Sequence, residues 1–140
     1  MVVYMDSTSK QNLDLVRAFV ADVEAFAQGD ALARYLHPEF EQEELPNLLF
    51  PKGVRRDAAA LLESAAKGRG AMREQRFVVT HEVAAGNMVA LEMDWSGTLA
   101  VPYGELPPGH VLRARLAMFV EVEGGRIRRQ RNYDCYAPIR

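Results

Sequence analysis

The chain has 140 residues, 49% hydrophobic and 26% charged, a balance that fits one globular domain over 1–140 and excludes disorder. A formal net charge of −2 supplies no general field for phosphate backbones, and no apolar run approaches the roughly 20 residues of a spanning helix, so neither nucleic acid nor a membrane is expected as a partner. Cys135 is the only cysteine, which excludes an intrachain disulfide and a cysteine-cluster metal site and is read as a buried thiol.

Met1 to Lys10 has neither a basic region nor an apolar core of the kind export signals carry, so a mature terminus and a cytoplasmic location are expected. Thr8 followed by Gln11 has capping-box spacing, and Leu15, Phe19, Val23 and Phe26 then recur every three or four residues, which predicts a helix stopped by Gly29. Asp30 caps a second short helix through Leu36, which Pro38 cannot continue. The stretch 40–44 is dense in acid, and Pro46, Pro51 and Gly53 make the next stretch a loop. Asp57 is an N-cap candidate for a helix over 58–67, with Leu61, Leu62 and Ala65 inward and Gly68 and Gly70 ending it.

From Gln75 onward the period changes to two, which predicts strands over 76–83, 88–99, 111–122 and 126–136. Gly86-Asn87 and Gly124-Gly125 supply hairpin turns, whereas 102–109 is too long and proline-rich for one and is expected to project. Helices first and long strands afterwards predict an α+β fold, with N-terminal helices packed on a strongly curved, mostly antiparallel sheet that curls into a cone with an interior pocket. The run Arg126, Arg128, Arg129, Arg131 splits between two strand faces and lacks aromatics for stacking bases. The three histidines lack metal-ligand spacing, and neither a metal nor a cofactor is implied.

The segments FAQGD, YLHPEF, EQEELPN, VALEMDWSGTL and GGRIRRQRNYDCY, in this order, resemble the nuclear transport factor 2-like superfamily and, within it, the SnoaL-like branch. The resemblance covers nearly the whole chain and implies a cystatin-like cone. It also implies a small-molecule pocket protein, acting as an acid-base isomerase, cyclase or hydrolase on an apolar carbonyl or polycyclic metabolite, or else a non-catalytic ligand-binding or structural dimeric module. The ketosteroid isomerases of the superfamily place a carboxylate base where this chain has Glu43 or Glu44, but their oxyanion donors fall at about Asp22 and Ala117. The similar epoxide hydrolases place an arginine and two aspartates where this chain has Glu92, Asp94 and Asn132, which retains one of the three. Polyketide cyclases of the SnoaL kind use an aspartate near Asn132.

Alternation puts Glu92, Asp94 and Ser96 on one face of their strand, and Gln130, Asn132, Asp134 and Tyr136 on one face of the last. If both faces look into the cone, Asp94, Asn132 and Asp134 are the candidate catalytic set, with Glu43, Glu44, Glu92 and Tyr136 as ligand contacts. Carboxylates gathered in one low-dielectric cavity cannot all ionise at low cost, so at least one would titrate near neutrality. The competing reading pairs Asp94, Glu92 or Asp134 with Arg113, Arg115, Arg129 or Arg131 across neighbouring strands and assigns them no chemistry. Val89, Leu91, Met93 and Trp95 then occupy the opposite face. Together with Leu116 and Met118, Met93 and Trp95 are expected to pack against a second copy, giving a homodimer through the sheet.

Overall fold

The computed structural model of the chain describes residues 5–138. Helix α1 spans Ser7–Glu24, and its cap is Asp6 rather than Thr8: the Asp6 carboxylate accepts from the Ser9 amide at 2.7 Å. Its buried stripe of Leu13, Val16, Phe19 and Val20 lies against the sheet. The chain turns out of the helix at Phe26, whose φ of 59° is unusual for an aromatic residue, before Gly29 opens the one-turn α2, Asp30–Ala33. β1 follows as Leu36–Glu44 and tolerates Pro38 because its register with the last strand slips between Leu36 and Glu41.

A strand not expected from the sequence, β2 (Val54–Asp57), pairs antiparallel with β1 and sets Arg56 opposite Gln42. Asp57 caps α3, Ala58–Ala71, which runs through Gly68 and Gly70 instead of ending there. No residue of α3 is fully buried, because the helix roofs a cavity rather than packed side chains. The remaining strands are β3 (Met72–Ala85), β4 (Met88–Leu99), β5 (Val111–Glu123) and β6 (Arg126–Tyr136), and Gly86, Gly124 and Gly125 make their turns at positive φ.

The six strands form one curved sheet in the order β2-β1-β6-β5-β4-β3, antiparallel throughout except for the β1–β6 pair. This is the α+β cone expected from the sequence, with the helices on the concave side. The core lies between α1 and the concave faces of β4, β5 and β6, where Val16, Val89, Leu91, Met93, Val120 and Ile127 are almost wholly buried. Burying such side chains contributes about 1.5–3 kcal/mol each, which makes this face the main adhesive of the fold.

That burial corrects two expectations. Val89, Leu91, Met93 and Trp95 point inward under the helices, so Glu92 and Asp94, one residue out of phase, point to the convex outer face. Leu116 and Met118 are likewise core residues, so the surface expected to meet a second copy is already covered by α1 and its neighbours. Large apolar groups on one strand face go beneath the apolar cover that the helices supply. Cys135, expected to be buried, is exposed. Among the described residues no helix is long and apolar enough to cross a membrane.

Candidate functional site

Below α3 the sheet and helices leave a cavity of ≈ 300 Å³. Phe19, Val23 and Phe26 of α1 and the turn after it form one wall, Leu61 and Ala65 of α3 the roof, and Trp95 of β4 part of the floor. Leu49 and Phe50, from the loop between β1 and β2, border it on another side. That loop is folded on itself: the Asn47 side-chain oxygen accepts from the amides of Leu49 and Phe50 at 3.0 and 3.1 Å.

Against these apolar walls one end is polar, lined by Gln42 and Glu44 of β1, Arg56 of β2 and Tyr136 of β6. Arg56 donates to Glu44 at 2.8 Å and to Gln42 at 2.9 Å, and the Arg56 and Glu44 side chains are only 11% and 12% exposed. Since Gln42 uses its carbonyl on Arg56, its amide faces the Asn132 oxygen, 3.5 Å away, and Gln130 donates to that same oxygen at 2.9 Å. The direction of these bonds is thereby fixed from the always-charged guanidinium outward.

Behind the lining stands Asp134. Burial first, then its hydrogen bond with Glu44 and the charge of Glu44, push its carboxyl up to about 7, while Arg56 pulls the other way. One of its oxygens, Oδ1, is buried without a hydrogen-bond partner among the described residues. Burial, with the nearby Asp134 and Glu44 charges, also raises Tyr136, so its hydroxyl stays protonated and able to donate across the neutral range. The result is a carboxyl pair with one labile proton, steadied by one buried cation, at the end of an apolar chamber.

The placement of each expected residue follows from strand phase. Asp134 and Glu44 meet, Tyr136 lines the cavity beside them, and Asn132 anchors the amide chain. Glu43, the neighbour of Glu44, faces the other way and pairs with Arg55 at 3.1 Å. Glu92 and Asp94 do not reach the site: Glu92 sits 3.0 Å from His81 and Asp94 3.2 Å from Arg115, both on the outer face with side chains about half exposed (47% and 51%). For Asp94 the cross-strand reading is therefore the correct one, and its expected place among the catalytic set is withdrawn. For Asp134 that reading fails.

A local irregularity brings the last strand's polar set inward. Val122 pairs with Ile127 and Glu121 with Arg129, so Arg128 is an extra residue that resets the alternation between buried Ile127 and buried Gln130. Sequence reasoning missed Arg56 and Gln42. The available signal was Val54, two positions before Arg56, which marks the inward phase of a short strand ending at the Asp57 cap.

Comparison with solved structures returns the same architecture at low identity. A putative polyketide cyclase from Streptomyces antibioticus, IdmH, is 19% identical over 89% of this chain and 91% of its own, with a TM-score of 0.73. A putative SnoaL-like polyketide cyclase from Jannaschia is 15% identical over 95% and 91%, with a TM-score of 0.76. An LEH-like epoxide hydrolase from M. tuberculosis is 16% identical over 90% and 84%, with a TM-score of 0.70. At these identities the likeness is one of fold. No curated protein sequence matches the chain. The SnoaL-like domain model matches residues 5–130, and the chain belongs to the SnoaL-like domain family.

Proposed function

We propose that the cavity binds a small, largely apolar metabolite bearing a carbonyl or similar oxygen function, and that the Glu44–Asp134 pair moves a proton on it in an isomerase, cyclase or hydrolase type of reaction. The observation that carries this reading is one carboxyl held near neutral titration, against a second carboxyl and a buried guanidinium, at the polar end of the chamber's apolar walls. In this reading Glu44, which lines the cavity, exchanges the proton with the ligand. Asp134 stores it from behind, Arg56 keeps Glu44 in place, and Tyr136 donates to the ligand oxygen. The polyketide cyclase and epoxide hydrolase descriptions of the structural relatives support a reaction on an oxygenated organic molecule without selecting one.

The test is proton exchange. The protein is incubated with 2-tetralone in D2O, and deuterium uptake beside the carbonyl is followed by NMR. Wild type is expected to exceed Glu44→Gln and Asp134→Asn by about 10²–10⁴-fold, the usual span of a general acid or base. Equal uptake by all three proteins would sink the proton-transfer reading and leave a binding module.

A second copy on the outer sheet face belongs to the same proposal. Its support is the exposed set Val78, Val83, Phe119 and Tyr133, the last two packed edge to face with centroids 5.9 Å apart. Sedimentation at micromolar concentration checks it, a monomer being the adverse result.

A further inference from the structure

We infer that Gly97 sets the size limit of the cavity, acting as a positioning residue through Trp95. The inference rests on the binding role proposed for the cavity and extends it to which ligands fit. Trp95 and Gly97 lie on the same inward face of β4, and the indole lies back across residue 97. A Cβ on residue 97 would fall 2.5 Å from Trp95 Cζ2 and 2.7 Å from Cη2, distances no side chain tolerates, so this wall stands where it does only because residue 97 has no side chain.

Three further contacts fix the ring. The indole N–H donates to the Gln75 side-chain oxygen at 3.1 Å, and Gln75 is the cross-strand partner of Gly97. The Gln75 amide in turn donates to the Val23 carbonyl of α1 at 2.8 Å, tying the ring to the opposite wall. Trp95 and Tyr136 pack edge to face at a centroid distance of 6.0 Å and an interplanar angle of 81°. Met72 Sδ lies 3.1 Å from the same hypothetical Cβ, and Met72 and Trp95 both line the cavity, so a side chain at residue 97 crowds two of its wall residues. None of these contacts is needed to keep the proton on the carboxyl pair. Together they hold a large flat wall residue that packs on Tyr136 and whose shift changes the room beside it.

The experiment measures the dissociation constants of cyclohexanone, 1-tetralone and anthrone, ketones of one, two and three rings, by 1H–15N NMR titration of wild type, Gly97→Ala, Trp95→Phe and the double variant. Gly97→Ala is expected to weaken anthrone at least tenfold more than cyclohexanone. Trp95→Phe lacks the ring atoms that collide with residue 97, so Gly97→Ala in that background is expected to leave the one-ring to three-ring ratio within about twofold. Near-UV circular dichroism of the sole tryptophan reports ring displacement in Gly97→Ala directly. If Gly97→Ala does not fold, Gln75→Leu, which releases the indole N–H, replaces it with the same expected change in ratio. Ketone binding with the same ratio in every variant would overturn the size limit alone. Failure of wild type to bind any of the three would overturn both it and the binding role beneath it.

Discussion

Glu44 lies close enough to Asp134, at the junction of β1 and β6, to help raise its carboxyl, and Arg56 donates to Glu44 at 2.8 Å. Neither strand alone could build this. Glu44 stands at the end of the one parallel pair in the sheet, opposite Asn132, and Asp134 is two residues further along the same inward face. The arrangement holds a proton near neutrality without a histidine.

The first consequence is a stability that falls as pH rises. The Asp134 carboxyl is raised from 3.8 to about 7 on folding, so between those values the folded chain binds more protons than the unfolded one. The stabilisation is therefore complete below about pH 4 and is lost as pH climbs through about 7, at a rate of at most about 1.4 kcal/mol for each pH unit in that window. Urea denaturation at pH 5, 6, 7 and 8 is expected to show this decline in wild type and a flatter profile in Asp134→Asn, with the variant the more stable of the two at pH 8.

Arg56→Leu removes the only cation within hydrogen-bonding distance of Glu44 among the described residues and leaves a buried carboxylate beside a second acid. A loss of about 3–5 kcal/mol is expected in urea denaturation. Adding Glu44→Gln to Arg56→Leu is expected to recover much of that loss, because the uncompensated charge is then gone. Equal stability of the single and double variants would show that the pair is not coupled in this way.

By contrast, Glu92→Ala and Asp94→Ala remove carboxylates whose partners, His81 and Arg115, share the exposed outer face. Each is expected to change stability by no more than about 1 kcal/mol and to leave deuterium exchange on 2-tetralone unaltered. A large loss of exchange in Asp94→Ala would return that residue to the site.

Gly53 closes the loop behind Glu44 at φ 73°, and a Cβ there would fall 2.8 Å from the Glu44 carbonyl oxygen. Gly53→Ala is expected to cost about 1–3 kcal/mol and to displace Glu44, lowering proton exchange more than a surface substitution of equal stability cost. Thermal melts together with the exchange assay separate the two effects.

The long strands were legible because Gly86, Gly124 and Gly125 punctuate a period of two that runs unbroken through β4 and β5. Alternation, however, says that Trp95 and Asp94 face apart without saying which is inside. The apolar weight of Val89, Leu91 and Met93 should have settled it, since only that face can offset the ordering of α1. On β6 the phase was assigned correctly from the polar residues, although Ile127 alone points to the opposite one, and the extra residue at Arg128 reconciles them. The choice between Glu43 and Glu44 was beyond the sequence, because two adjacent identical side chains carry no phase of their own. Arg56 stayed hidden because β2 is four residues long and half arginine, which leaves Val54 as its single marker of phase.

The most direct measurement is a carboxyl-carbon NMR titration of Asp134 in wild type and in Glu44→Gln. A midpoint near 7 in wild type, moving toward the ordinary aspartate range when Glu44 is replaced, is the expected result. An Asp134 that titrates near 4 in both proteins would contradict it, since the two carboxyls would then share neither a proton nor a site.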